Sequence, residues 1–338
     1  MSEYAGEVVA DLELMVRRSL GRWGLCPETG VRLLNLSENA TFALETGSGA
    51  DLVLRVHRVG YCSVDEIRSE LAWITALRND HVIETARPIA GQDGELVQRL
   101  DSPSGKPSRH AVAFERLGGR EPSHEADAVP WFERLGELTA QMHRHAKGWR
   151  LPPGFLRKRW DLDAMIGAHG YWGPWQRAIG LDSSGTQVID AALALVRRRL
   201  EAFGSGPERF GLVHADLRLA NLLTDGTHLR IIDFDDCGFS WFMYDFATAV
   251  SFIERDPHVP ALLEAWILGY RRIAPLPPAD VEEIPTFIVL RRILLCAWLA
   301  SHSEVALAGQ LGSAYTAGTV AMAEELLHGR FLTLKEFA

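Results

Sequence analysis

The stretch Leu212 to Phe239, LVHADLRLANLLTDGTHLRIIDFDDCGF, sets Asp216, Asn221, Asp233, Asp235 and Asp236 among leucine, isoleucine and phenylalanine. Carboxylates kept beside apolar residues usually have a cation or a proton to handle. Turn chemistry accounts for Asp225-Gly226, a hairpin signal, but not for Asp216, Asn221 and Asp233, which flank the apolar runs on either side of it. Phosphoryl transfer needs these residue types at this spacing. A carboxylate orients and deprotonates the attacking hydroxyl, while an amide oxygen and a second carboxylate offer hard oxygen ligands to Mg2+ on the nucleotide phosphates. His-x-Asp-x-x-x-x-Asn followed by Asp is met here by His214, Asp216, Asn221 and Asp233, with His214 read as structural. If the strand runs on past Asp233, a period of two puts Asp235 on the same side as a second metal contact. A purely structural Asp235 is the equal alternative, and Asp236 reads as a turn residue.

These residues need elements to hold them. Val8 to Trp23 carries Val9, Leu12, Val16 and Leu20 at helical spacing. Val31 to Glu45 reads as strand, polar loop, strand; Gly47-Ser48-Gly49 turns the chain into a third strand, Leu52 to Val56. Val64 to Arg78 returns to helical spacing, and Glu95 to Leu100 and His110 to Phe114 alternate as strands. From Trp131 onward helices dominate, over Trp131 to Met142, Val188 to Ala202, Pro260 to Ile273 and Pro285 to Ser301. A β-rich first third and an α-rich remainder predict an α+β chain whose two parts meet near Glu115 to Gly119.

Composition narrows the function classes. With 47% hydrophobic residues over 338, the chain can bury a large core. A net charge of minus nine, with no basic run interleaved with aromatics, argues against nucleic acid as a partner and favours cationic small molecules. Cys26, Cys62, Cys237 and Cys296 lack the spacing of a zinc site or a disulfide framework, and the amino-terminal residues lack a signal-peptide core, so a cytoplasmic location is expected. Phe287 to Ala300 is apolar but short and interrupted by Arg291 and Arg292, which predicts a buried helix rather than a membrane span.

At the catalytic segment the sequence resembles the aminoglycoside phosphotransferase and choline kinase superfamily, whose members share a two-lobed protein-kinase-like fold. "FERLGGREP" resembles its hinge, "LGELTAQMHRH" its helix ending in a Met-His pair, and "WFMYDFATAV" its downstream Asp helix. "NLSENATFAL", "EIRSELAWITALRND" and "LRRILLCAWLASHS" are most similar to the branch containing stress response kinase A and the type II homoserine kinases. The resemblance implies a β-rich N-lobe over 1–113, a hinge over 114–118 and a mainly α-helical C-lobe over 119–338. It implies Asp216 as catalytic base, Asn221 and Asp233 as Mg2+ ligands, and Asp245 as a brace of the catalytic loop. MgATP is expected between the lobes, its adenine against Phe114, Glu115 and Leu117 of the hinge.

The nucleotide side departs from common patterns. There is no GxxxxGK[ST] and no GxGxxG, which excludes a Walker ATPase. Ser37 to Thr41 lies between two strands, where backbone N–H groups and the short side chains of Ser37 and Asn39 suit phosphates as well as a plain surface hairpin. The third strand carries Arg55 and no lysine; an arginine fork can grip phosphate oxygens, and the alternative is a solvated strand residue. Glu70 falls within the apolar stripe of Ile67, Ile74 and Leu77, so it needs a cation, and Arg55 is the expected partner with Glu66 as the competing carboxylate. His57 and Arg58 are expected to face solvent. Trp160, Tyr171, Trp172 and Trp175, with Asp161 and Asp163, fall where the superfamily carries acceptor specificity, although core packing explains most such aromatics.

These readings converge on an ATP- and Mg2+-dependent kinase acting on a small-molecule hydroxyl, such as an amino alcohol, amino acid or aminoglycoside-like compound. A protein Ser/Thr hydroxyl is the alternative acceptor, and a silent nucleotide-binding scaffold, favoured only by Arg55, is the alternative class.

Overall fold

The computed structural model describes residues 3–37, 39–47, 51–102, 104–123, 128–302 and 306–332. Glu38 of the expected phosphate loop, Ser48 and Gly49 of the expected turn, Pro103 and Ser303 lie outside the described residues. The chain forms two compact units: Met1–Gly118 with Leu151–Arg157, and Gly119–Arg150 with Lys158–Ala338. The return of Leu151–Arg157 to the first unit is absent from a division at residue 119. It is tied there by Leu156 N–H donating to Ser69 Oγ and by Arg157 donating to the Glu66 carbonyl, each at 2.8 Å.

The first unit runs α1 (Glu3–Ser19), β1 (Gly30–Leu36), β2 (Ala40–Glu45), β3 (Leu52–Val56), α2 (Val64–Asn79), β4 (Pro88–Ile89), β5 (Val97–Leu100) and β6 (Arg109–Glu115). Among the described residues these strands make one antiparallel sheet in the order β1-β2-β3-β6-β4, with β5 paired to β6 beside β4. Strand periodicity divides the work of the two faces. Leu54 and Val56 of β3 join Phe42, Leu44, Ala111 and Ala113 against Leu12, Met15 and Val16 of α1 and Leu20 of the 3-10 turn that follows it. Burying an aliphatic side chain of this size stabilises the fold by roughly 1.5–3 kcal/mol, which is what holds the short α1 on the sheet. Arg55, out of phase with Leu54 and Val56, reaches Glu70 of α2 instead. His57 shares that phase and is buried, contrary to the solvent-facing position expected from its polarity, while Arg58 is exposed. The helix α2 begins at a capping box: Glu66 N–H donates to Ser63 Oγ at 3.2 Å and Ser63 N–H returns a bond to Glu66 at 2.8 Å.

The second unit runs α3 (Ala128–Gly148), β7 (Lys158–Arg159), α4 (Leu162–Ile166), α5 (Ser183–Phe203), β8 (Phe210–Val213), β9 (Leu222–Thr224), β10 (Leu229–Ile231), β11 (Gly238–Trp241), α6 (Tyr244–Ala249), α7 (Val259–Ile273), α8 (Pro278–Glu282), α9 (Ile284–Ser301) and α10 (Ala306–Leu327), the last broken at Gly312. Two small sheets, β10-β9 and β7-β11-β8, are set among these helices. Gly136 of α3 and Gly269 of α7 let the two helices touch backbone to backbone, since a Cβ on either would collide with a carbonyl of the other helix. The segment Pro278–Ser301 is long and apolar enough to cross a membrane but is almost wholly buried inside the unit. From Ile284 to Leu299 every residue of α9 is buried, Arg291 and Arg292 included, as expected for a helix apolar all round.

Candidate active site

The motif of the second unit is a strand, a tight turn and a hairpin. β8 delivers His214, Ala215 and Asp216; a single 3-10 turn, Leu219–Asn221, leads into β9; the β9–β10 hairpin turns at Asp225-Gly226; and the chain then passes through Asp233 into β11. Asp225 accepts from the N–H groups of Thr227 and His228, at 3.0 and 2.9 Å, and meets Arg230 at 2.9 Å. Those backbone bonds, His228 first, hold its carboxyl well below the ordinary carboxylate range.

Ala215 (φ 67°) and Asp233 (φ 64°) both adopt the left-handed conformation that disfavours side chains, at a cost of about 1–2 kcal/mol each. The first is held by Asp245 of α6. One carboxylate oxygen accepts from Ala215 N–H at 2.7 Å, and the other from His214 N–H at 3.2 Å. That second oxygen is 3.0 Å from His143 Nε2 of α3, and His143 Nδ1 is 3.1 Å from the Tyr270 hydroxyl of α7. The network assigns Nε2–H to the carboxylate and leaves Nδ1 to accept from the phenol. Burial, followed by the Asp245 charge, pushes the Tyr270 pKa up and keeps it a neutral donor. Thr248 extends the brace, accepting from Leu217 N–H at 2.9 Å while its hydroxyl donates to the Asp245 carbonyl.

His214 ties the two halves of the motif. Its Nδ1 accepts from Asp216 N–H at 3.2 Å, so Nε2 donates to the Ile232 carbonyl at 3.1 Å, one residue before Asp233. Asn221 adds a parallel tie: its carbonyl accepts from Ile232 N–H at 2.9 Å, and its amide donates to the Asp216 carbonyl at 2.8 Å and to Asp216 Oδ2 at 2.7 Å. The amide nitrogen being committed to Asp216, the side-chain oxygen of Asn221 is the atom it has to offer a cation. Asp233 is half-buried. No cluster of three or more His, Cys, Asp or Glu suited to a metal occurs among the described residues. An amide oxygen and one carboxylate fit Mg2+, which keeps most of its ligands as water and phosphate, better than a cation needing an all-protein cage.

Asp235 does not follow from strand alternation. The left-handed backbone at Asp233 ends the extended run, and Asp235 and Asp236 lie buried in the turn before β11. Asp236 is more than a turn residue: Lys158 of β7 meets it at 2.8 Å, and Trp160 Nε1 donates to its carbonyl at 2.8 Å. Trp160, Tyr171 and Trp172 pack edge to face or tilted, with centroids 5.1 and 5.5 Å from Trp160. Trp175 is buried in its own 3-10 turn.

Two arginines meet Asp216. Arg218 Nε is 3.1 Å from Oδ2, and an Nη of Arg291, projecting from α9, is 2.8 Å from Oδ1. Arg291 also donates to Tyr244 Oη and Ser251 Oγ, each at 3.2 Å, with its guanidinium 5.3 Å from the Trp172 ring. Burial pulls its pKa down, but Tyr244 and the Asp216 carboxylate outweigh burial and hold it above the ordinary arginine value. The contact joins residues 75 positions apart, beyond any local spacing, and in the sequence Arg291 reads as an interruption of an apolar run.

The first unit carries the expected nucleotide residues. Arg55 lies 2.5 Å from Glu70, their side chains only 5% and 1% exposed, and its guanidinium is 5.3 Å from the Phe114 ring. Glu66 is engaged in the α2 cap instead. Asn39 is buried and accepts from Arg58 N–H at 3.2 Å, and Ser37 N–H donates to the Asn39 carbonyl at 3.0 Å. Glu115 pairs with Arg78 at 3.0 Å, and its carboxylate accepts from Arg87 N–H at 2.9 Å. Leu117 is half-buried in the stretch after β6.

A model of the phosphotransferase enzyme family matches residues 30–278. The chain belongs to that family. It is a phosphotransferase, a kinase with an alcohol group as acceptor. The solved microcompartment-associated aminopropanol kinase is 43% identical with a TM-score of 0.87, covering 94% of this chain and 98% of the other. An amicoumacin kinase solved in complex with AMP-PNP, Ca2+ and Ami shares the fold at a TM-score of 0.78 and 22% identity, covering 98% of each chain. The amicoumacin kinase of Bacillus subtilis strain 168 is 25% identical over 297 residues, 84% of this chain and 83% of its own. The fold is accordingly α+β and protein-kinase-like, with a β-rich N-lobe and a mainly helical C-lobe.

Proposed function

We propose that the chain transfers the γ-phosphoryl group of ATP to the hydroxyl of a small amino alcohol, with Asp216 as the base. The observation that carries this reading is the Asp216 carboxylate, held on one oxygen by Asn221 and on the other by Arg291 above a backbone braced by Asp245. A carboxylate so fixed can accept an acceptor O–H and leave the oxygen aligned for attack, the positioning on which phosphoryl transfer mostly depends. Asn221 and Asp233 would hold the divalent cation, with Asp235 as a further candidate. When bound, the cation bridges and neutralises phosphate charge. Asp245, His143 and His214 fix the loop without touching substrate. In the first unit, Arg55, oriented by Glu70, is proposed to pair with phosphate oxygens, with Ser37 and Asn39 covering phosphates and Phe114, Glu115 and Leu117 contacting the base of the nucleotide.

The amino alcohol is supported by the 43% identity to an aminopropanol kinase and by the net negative charge, which suits an ammonium-bearing acceptor. The test is phosphorus NMR on reactions of the chain with ATP, Mg2+ and, in turn, aminopropanol, ethanolamine, choline, homoserine, kanamycin and amicoumacin. A phosphate monoester formed fastest on a short amino alcohol is expected. Preference for the antibiotics would move the acceptor class, and label appearing only on added protein would replace the small-molecule reading.

A further inference from the structure

Arg291 has no role in the family motif, yet among the described residues it makes the one contact to Asp216 that comes from outside the catalytic loop. A carboxylate has about four acceptor positions, two on each oxygen. On Asp216, Oδ2 accepts from Asn221 and Arg218, and Oδ1 accepts from Arg291. Among the described residues three positions are filled, and the fourth is on Oδ1, beside the Arg291 fork. From this count we propose that Arg291 is a positioning residue that aims Asp216 Oδ1 at the acceptor hydroxyl, so that the proton is taken on the oxygen Arg291 holds. The proposal rests on Asp216 being the base.

The neighbouring arginine shows what a purely structural cation on α9 does. Arg292 pairs with Glu254, whose side chain is fully buried, and adds bonds to Thr319 and the Tyr315 carbonyl, with its guanidinium 4.0 Å from the Tyr315 ring. All its partners lie inside the helical core. Arg291 is equally buried, but its carboxylate partner keeps 13% of its side chain exposed, on the loop that carries the motif. Its remaining donors, bonded to Tyr244 and Ser251, lock the guanidinium, and the faces of Trp172 and Tyr244 border it. A planar fork held on three sides fixes the carboxylate rotamer in a way that a flexible ammonium cannot.

The experiment compares steady-state kinetics of Arg291→Met, Arg291→Lys, Asp216→Asn and the Asp216→Asn, Arg291→Met double variant on the best acceptor from the panel. Arg291→Met is expected to lower kcat about 10²-fold, the scale of an ångström of misplacement, with KM for ATP within about threefold of wild type. Guanidinium ion added to Arg291→Met at millimolar concentration should restore part of kcat, which a general packing defect would not allow. The double variant should be no slower than Asp216→Asn within about threefold, because both changes disable one step. Should Arg291→Met not fold, Arg291→Lys carries the test, with kcat about tenfold down and KM for ATP unchanged. Wild-type kcat in either Arg291 variant, alongside a large loss in Asp216→Asn, would overturn the positioning role and leave Arg291 a core cation. Wild-type kcat in Asp216→Asn would overturn the base assignment instead, so the two failures are distinguishable.

Discussion

The Arg55–Glu70 pair lends itself to a quantitative test because both side chains are almost wholly buried and 2.5 Å apart. At an effective dielectric of about 20, charges at that separation attract by roughly 6–7 kcal/mol. Desolvation removes several kcal/mol for each ion, so the intact pair contributes little net stability. Removing one partner is a different matter. The second Glu70 oxygen is buried without a hydrogen-bond partner among the described residues, so Arg55 supplies the charge compensation that this carboxylate has. Arg55→Ala should therefore destabilise the chain by about 3–5 kcal/mol in urea titration, while Arg55→Met with Glu70→Leu, which removes both charges at similar volume, should lie within about 1 kcal/mol of wild type. Kinetics separate the second role. If Arg55 also grips phosphate, the double variant stays folded but its KM for ATP rises by roughly 10- to 100-fold, the scale of a lost charge-assisted bond. Additive single changes, together with wild-type ATP kinetics in the double variant, would refute both the charge compensation and the phosphate grip.

The other predictions concern the second unit. Asp245→Asn should leave nucleotide KM nearly unchanged while lowering kcat by at least about tenfold, because the Ala215 and His214 N–H bonds and the His143 contact lose their charged acceptor; steady-state kinetics check it. Lys158→Met should lower stability by roughly 1–3 kcal/mol by removing the cation that meets the buried Asp236 carboxylate, and Asp236→Asn in the same chain should recover part of it in urea titration. Ala215→Gly relieves a left-handed alanine and should change stability by no more than about 1 kcal/mol in either direction with kcat retained, whereas Ala215→Val should destabilise measurably.

What could be read from the sequence was chemistry written at short range. His214, Asp216, Asn221 and Asp233 sit within one strand-turn-hairpin, so spacing alone places them on neighbouring loop ends. Arg55 and Glu70 were legible because strand and helix periods each single out one charged residue on an apolar face. The contacts that stayed hidden cross long stretches of chain. Arg291 reaches Asp216 from a core helix, Lys158 reaches Asp236 from a two-residue strand, and Tyr270 reaches His143 between packed helices. Hydropathy marks such cations only as interruptions. His57 was misread because polarity outweighed the strand period that it shares with Arg55, and the two readings of Asp235 stayed open because alternation assumes extended backbone that Asp233 does not have.

Asp216 acting on an acceptor hydroxyl is tested most directly by phosphate-monoester formation from ATP and aminopropanol by wild type and Asp216→Asn, followed by phosphorus NMR with binding of ATP measured in parallel. The expected result is monoester formation by wild type, a fall in kcat of about 10²- to 10⁴-fold in the variant, and ATP affinity within a few-fold of wild type. Equal turnover by the two proteins would contradict the assignment of the base.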